Sequence, residues 1–254
     1  MEQFNTDIVL QIENLKVTRN EKYVLRNVNM TINRHEVIAL VGPSGDGKSV
    51  LPRCINRLFP TDANYKLSGN IFLEGELTTT IPTEKLRQQI GMLFSKPNLF
   101  PMSIYENIAF GLRLVGITNK TMLDRQIKIA LENVELWKTF QNQLNAPTTK
   151  LNPEQQQRLC LARILALQPK IILMDKPTFS LNSSAKSNFE RLILELKEKY
   201  TIIVTAEDKL QAGRISDKVG FFYKGSLIEF GQTKNIFTHP QEELTENFIT
   251  GRIS

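Results

Sequence analysis

Residues 37–49 read Val37-Ile38-Ala39-Leu40-Val41-Gly42-Pro43-Ser44-Gly45-Asp46-Gly47-Lys48-Ser49. The opening apolar run, Val37 to Val41, has the length and β-branched content of a buried strand. The glycines then open a loop, and Lys48 to Leu58 reads as a helix. The spacing G-x-x-x-x-G-K-[ST] between strand and helix describes a cradle of inward-pointing backbone amides. With a helix N-terminus behind them, such amides hold polyphosphate. Gly42, Pro43, Ser44, Gly45, Asp46, Gly47, Lys48 and Ser49 are therefore the candidate nucleotide-binding residues. Lys48 would reach the β- and γ-phosphates, and the Ser49 hydroxyl would ligate Mg²⁺. A chance glycine turn is the competing explanation, and the strand–loop–helix setting argues against it. Two residues weaken the cradle. Asp46 brings a carboxylate towards phosphate unless it turns outward to solvent. Pro52 is expected to remove one helical bond, at up to about 3 kcal/mol.

Working outward, two more apolar runs, Ile171 to Met174 and Thr201 to Val204, read as buried strands. Helix-like segments follow each, Ser183 to Lys197 and a shorter one from Glu207. This alternation predicts an α/β fold with a mainly parallel sheet. The first run ends in Asp175, where a carboxylate can hold Mg²⁺ beside the loop; a plain strand end is the alternative. Upstream, Ile8 to Val17 and Tyr23 to Ile32 alternate apolar and polar residues around Asn20 and Glu21, which predicts an antiparallel hairpin. Between Ser103 and Gln141 the period turns helical, with Ile104, Ile108 and Leu112, then Ile127, Leu131 and Val134, so a helical lobe is expected there. Asn142 to Lys150 is turn-rich and returns the chain to the body. Two short strands, Val219 to Tyr223 and Leu227 to Phe230, end the pattern.

At 254 residues the chain can bury one sizeable core, or a core with a smaller lobe. No apolar stretch approaches the roughly 20 residues of a membrane span. The N-terminal stretch, with Glu2 and Asp7, does not read as a secretory signal. Cys54 and Cys160 supply no disulfide framework, which fits a reducing compartment. The net charge of +6 favours an anionic partner. Lysines such as Lys120, Lys128, Lys138 and Lys150 are scattered without interleaved aromatics, so nucleic acid is the least favoured partner. His35 and His239 lack metal-ligand spacing.

The order of the Gly42 loop, the glutamine-rich Gln155-Gln156-Gln157-Arg158-Leu159-Cys160-Leu161-Ala162-Arg163 segment and Leu173-Met174-Asp175 resembles ATP-binding cassette (ABC) ATPases. Within that family the resemblance is closest to the ATP-binding subunits of phosphate-specific transport importers. It rests on Lys96-Pro97-Asn98, on Phe100-Pro101-Met102-Ser103-Ile104-Tyr105-Glu106-Asn107, on Leu227-Ile228-Glu229-Phe230-Gly231 and on Ile249-Thr250-Gly251-Arg252. The resemblance implies one nucleotide-binding domain over residues 1–254: a P-loop α/β core with an antiparallel β subdomain and a helical lobe at about 96–165. It also implies ATP and Mg²⁺ as ligands, and a head-to-tail homo- or hetero-dimer with two ATP molecules between the chains. Membrane permease subunits and a phosphate-binding protein would be the partners, with the chain peripheral on the cytoplasmic face of the cell membrane. Trp137, Phe100, Tyr105 and Phe110 read as core or permease contacts, and Glu106 and Asn107 as permease contacts or caps.

The departures from the family pattern fall on its chemistry. Ser95 stands where the family has a glutamine that senses the metal and the attacking water. The signature Leu-Ser-Gly-Gly-Gln becomes Leu151-Asn152-Pro153-Glu154-Gln155, in which Pro153 has no N–H and Glu154 carries negative charge towards the partner's nucleotide. Lys176 replaces the glutamate that polarises water, and an ammonium accepts no proton at neutral pH. Ala206 takes the switch histidine's place and Asn182 that of the D-loop aspartate. No aromatic stands near Thr18 or Arg19 to stack on adenine, although the Arg19 guanidinium offers a plane. Each ATP site borrows its signature from the other chain and its water-activating groups from its own. With faults in both classes, any pairing damages both sites. The expectation is retained ATP binding with impaired hydrolysis, either in an importer subunit or in a non-hydrolysing regulatory pseudo-ATPase docked on a permease.

Overall fold

The computed structural model describes residues 7–59 and 64–253. Residues 1–6, which carry part of the argument against a secretory signal, lie outside the described residues. The chain opens with the expected hairpin, β1 (Ile8–Arg19) and β2 (Lys22–Asn33). Asn20 and Glu21 at its turn have φ of 48° and 63°, the backbone twist a two-residue hairpin loop requires. Then come β3 (Val37–Val41), α1 (Val50–Ile55), β4 (Tyr65–Leu73), β5 (Glu76–Leu77), α2 (Thr83–Gln89) and β6 (Ile90–Leu93). Helices α3 (Ile104–Leu114), α4 (Lys120–Asn133), α5 (Trp137–Phe140) and α6 (Pro153–Leu165) occupy the region expected to be a helical lobe. The body resumes with β7 (Ile171–Asp175), α7 (Ser183–Leu196), β8 (Thr201–Thr205) and α8 (Lys209–Ile215). Strands β9 (Lys218–Tyr223) and β10 (Ser226–Gln232) and helices α9 (Thr233–Thr238) and α10 (Glu243–Ile249) follow.

Strands β9, β3, β8, β7 and β6 lie side by side in parallel, as the alternating pattern predicts. Strand β10 is antiparallel to β9 and meets β2 through one parallel pair, Ser226 opposite Arg26. Beyond it β2, β1, β4 and β5 form an antiparallel wing. Every residue of β3, β7 and β8 is buried. Alternate side chains enter two cores: Ala39, Met174 and Val204 pack with the lobe and α7, while Leu40, Leu173 and Ile203 pack with α1 and the hairpin. Covered on both faces, these strands read as unbroken apolar runs.

The lobe is tied to the sheet through α6. A side chain at Gly91 in β6 would put its Cβ 2.2 Å from Ile164 Cγ2, so only glycine lets this helix lie so close. At the lobe's entry the Ser103 hydroxyl accepts the Glu106 N–H at 3.1 Å, capping α3. Asn107 is fully buried and bonds to Phe100 and Ser103 backbone, so its role is structural. Glu106 is half-buried and paired with Arg113.

One expectation needs correction. The helix predicted over Lys48 to Leu58 runs only from Val50 to Ile55. It stops because Arg57 turns to φ 51° and the Leu58 N–H reaches back to the Arg53 carbonyl at 2.9 Å, closing the end as a glycine normally would. Pro52 thus falls in the first turn, where amides have no intrahelical acceptor, and the penalty expected for it does not arise.

Candidate functional site

The loop Gly42 to Ser49 leaves the C-terminal end of β3, the end where open α/β sheets bind ligands. Gly42 has φ 141°, and a Cβ there would lie 2.0 Å from the Phe222 carbonyl oxygen. Gly47 has φ 83°, with the Val24 carbonyl 2.4 Å from its would-be Cβ. Both positions demand glycine. Gly45, at φ 90°, faces open space. From Ser44 to Ser49 no backbone N–H is bonded to protein among the described residues. Six successive unpaired amides beside a helix start make an anion nest.

The side chains agree. Lys48 is buried, and its ammonium donates to the Gly42 carbonyl at 2.7 Å and to that of Pro43. Burial pushes this lysine down to about 8; the Asp46 carboxylate opposes that, and the Lys176 cation adds to it. The Ser49 hydroxyl donates to Asp175 Oδ1 at 2.7 Å, so the loop and the end of β7 meet as the sequence predicts. A hydroxyl and a carboxylate in contact at the mouth of an amide nest are an oxygen donor set suited to Mg²⁺. Residues Ser44 to Val50, Val24 and Lys176 line a cavity of about 170 Å³. Beside it, Gly42 to Ser44, Ala206 to Lys209 and the C-terminal Phe248, Gly251 and Ile253 enclose about 300 Å³ more. Asp46 does not turn fully outward: its Oδ2 is buried and lacks a hydrogen-bond partner.

Other predicted positions stand elsewhere. Ser95 lies half-buried past the end of β6 and does not line the loop cavity. Ala206 is buried, and its N–H continues the strand pairing to the Leu40 carbonyl at 3.1 Å. The side chain on this loop that enters a hydrogen-bonded network is Glu207, a residue the sequence pattern passed over. Its carboxylate accepts from the Thr178 hydroxyl and the Lys186 ammonium, each at 2.6 Å. Gln211 donates to Thr178 at 2.9 Å and to Glu190 at 3.2 Å, extending the network. Asn182 caps α7 by accepting the Ala185 N–H at 2.9 Å.

The Glu154 expectation also changes. This carboxylate accepts from Arg158 Nε at 3.0 Å within the same helix, so part of its charge is offset by an arginine that it shares with Glu135. Asn152 and Gln155 cap α6 reciprocally, at 2.9 and 3.0 Å, and so occupy each other's backbone N–H. With Pro153 between them, the start of α6 has few amides left to offer. Arg19 stacks on Tyr65, 5.3 Å from the ring centroid. Gln157, fully buried, donates to the Phe94 carbonyl at 2.8 Å and the Pro177 carbonyl at 2.9 Å. It ties α6 to the residues beside Ser95 and Lys176. Its place in the glutamine-rich run was visible, but its buried partners were not.

Comparison with known proteins agrees with this geometry. Residues 25–179 match the ABC transporter family. The chain belongs to the ABC transporter family. Three relatives align over nearly the whole chain. The "Phosphate import ATP-binding protein PstB" of Thermotoga maritima is 40% identical over 96% of this chain and 98% of its own. Its namesake in Mycoplasma mobile is 44% identical, over 97% and 89%. PstB 1 of Streptococcus pneumoniae is 41% identical, over 97% and 99%. Among solved ABC structures, cbiO1 of Clostridium perfringens, part of the transporter complex cbiONQ, superposes with a TM-score of 0.80 at 26% identity, covering 97% of both chains. The cassette MJ0796, solved as a dimer in a post-hydrolysis state bound to ADP and Pi, gives 0.74 at 26% identity, covering 88% of this chain and 98% of its own. The ABC fold thus accounts for the sheet, the lobe and the loop together. Among the described residues, no helix is long and apolar enough to cross a membrane.

Proposed function

We propose that this chain is an ATP-binding subunit of an ABC importer for inorganic phosphate, and that it binds Mg-ATP but hydrolyses it slowly or not at all. The carrying observation is the nest of six unpaired amides closed by the Ser49–Asp175 contact. Those parts serve ground-state binding. Lys48 would neutralise phosphate charge, while Ser49 and Asp175 would hold the metal. The names of the near full-length relatives support phosphate as cargo. Lys176 in place of a carboxylate and the self-capped start of α6 support impaired turnover, since loss of a general base alone removes about 10²–10⁴ in rate.

As partners the proposal takes permease subunits, a phosphate-binding protein and a second nucleotide-binding subunit, identical or paralogous, on the cytoplasmic face of the membrane. An apolar groove of about 400 Å³ supports docking; it runs between the end of α2, β6 and the lobe, with Phe100, Phe110 and Leu167 in its wall. The regulatory reading, in which the chain docks on a permease without powering it, is favoured by one observation. Glu207, the carboxylate next to the switch position, is already engaged by Thr178 and Lys186.

The test is ATP binding and turnover measured on one preparation, with and without Mg²⁺. Micromolar to millimolar, magnesium-dependent affinity with turnover far below about 1 per second is expected. Turnover at or above that rate would remove the hydrolytic defect, and no affinity at millimolar ATP would remove the nucleotide reading altogether. Lys176→Glu should recover little activity, because Pro153 and the 206–207 positions remain altered.

A further inference from the structure

Lys176 follows Asp175 directly and lines the loop cavity with Ser44 to Ser49. Its backbone is left-handed, with φ 45°, a conformation that side-chain-bearing residues avoid. Two bonds hold it there: the Lys176 N–H donates to the Thr205 carbonyl at 3.1 Å, and its own carbonyl accepts the Phe179 N–H at 3.2 Å. The fold therefore places this side chain at the loop against local preference. Among the described residues Lys176 makes no ion pair and no side-chain hydrogen bond. Of the carboxylates near it, Asp175 accepts from Ser49, while Asp46, which lines the same cavity, keeps a buried Oδ2 without a partner and makes no ion pair with Lys176. Lys48 lies close enough to feel the Lys176 charge. Two ammonium groups at one amide nest repel each other until an anion lies between them.

We propose that Lys176 is a second phosphate ligand, which with Lys48 clamps the terminal phosphate of a bound nucleoside triphosphate and makes the site prefer triphosphate over diphosphate. This rests on reading the loop as a nucleotide site. Lys48 and Ser49 mark the end of such a loop that faces the terminal phosphates, and Asp175, in contact with Ser49, puts Lys176 on that side. An ammonium there donates charge-assisted hydrogen bonds to phosphate oxygens. The residue that replaced a catalytic carboxylate would thereby act in binding.

The experiment is calorimetric titration of the full chain with ATP and, separately, ADP, for the parent, Lys176→Met and Lys176→Arg, each first shown by its thermal melt to be folded. Lys176→Met is expected to lose about tenfold or more in ATP affinity, with ADP affinity held within about twofold. Lys176→Arg, which keeps the charge, should retain most of the preference. Equal losses for both nucleotides, or no change for either, would overturn the clamp while leaving the nucleotide site standing. No ATP binding by the parent chain would overturn both.

Discussion

At the scale of single residues, the loop depends on glycines whose space is already occupied by backbone. Gly47 is the clearest case, since a methyl group would meet the Val24 carbonyl 2.4 Å away at a φ of 83°. Gly47→Ala is expected to destabilise the chain by about 1–3 kcal/mol, read as a lower denaturation midpoint, and to reduce ATP affinity because the amides no longer converge. Gly45, with open space in front of it, is the contrasting control: there alanine meets only the conformational cost of its φ of 90°. Asp46 belongs to this scale as well. Its buried, unpartnered oxygen is a polar group left unpaired, so Asp46→Asn is the natural companion variant for testing how much the loop's own carboxylate weakens phosphate binding.

At the scale of elements, α6 joins the chemistry to the lobe. Its first turn is closed by the Asn152–Gln155 capping box, and its third residue from the start, Gln155, is the only glutamine of the run used this way. Asn152→Ala removes the acceptor for the Gln155 N–H and is expected to cost about 1 kcal/mol of stability, measured by denaturant titration. If that substitution instead left stability unchanged, the cap would be a contact without consequence. Further along, Arg158 is nearly buried and serves three acceptors at once: Glu154, Glu135 and the Val134 carbonyl. Helix α6 is thus braced against α4's end, while Gln157 braces it against the ends of β6 and β7. Movement of the lobe would have to disturb the residues around Ser95 and Lys176.

At the scale of the molecule, ion pairs stitch separate parts of the surface together. Burial pushes the Glu135 carboxyl up, but hydrogen bonds from Arg158 and Arg191 outweigh it and hold the group below its ordinary value of 4.5. Glu74 behaves likewise between Lys170 and Arg34. A carboxylate whose folded value is depressed contributes stability that is complete above its unfolded value and disappears as pH falls through the folded one. The chain should therefore lose stability as pH falls below the ordinary carboxyl value of 4.5, and Glu135→Gln should flatten that loss. Melting curves across this range decide it; a variant with the parent's full pH slope would place the acid sensitivity elsewhere. Both groups are partly exposed, so raising salt should reduce the effect.

The sequence by itself determined the loop, the buried strands and the approach of Ser49 to Asp175. Their signals are local: apolar runs at strand length, glycines where φ is positive, a lysine and a hydroxyl at a helix start, an acid at a strand end. Only the tertiary structure decided what the altered residues face. Glu154 turns to Arg158, Asp46 buries an oxygen, α1 ends early at Arg57, and Glu207 joins Lys186 and Thr178 beside Ala206, which stands in the switch histidine's place. Glu207 depends on partners that folding brings close, Thr178 across 29 positions and Lys186 across 21. A side chain's charge is written in the sequence, but whether that charge is free to act is settled by the neighbour that neutralises it.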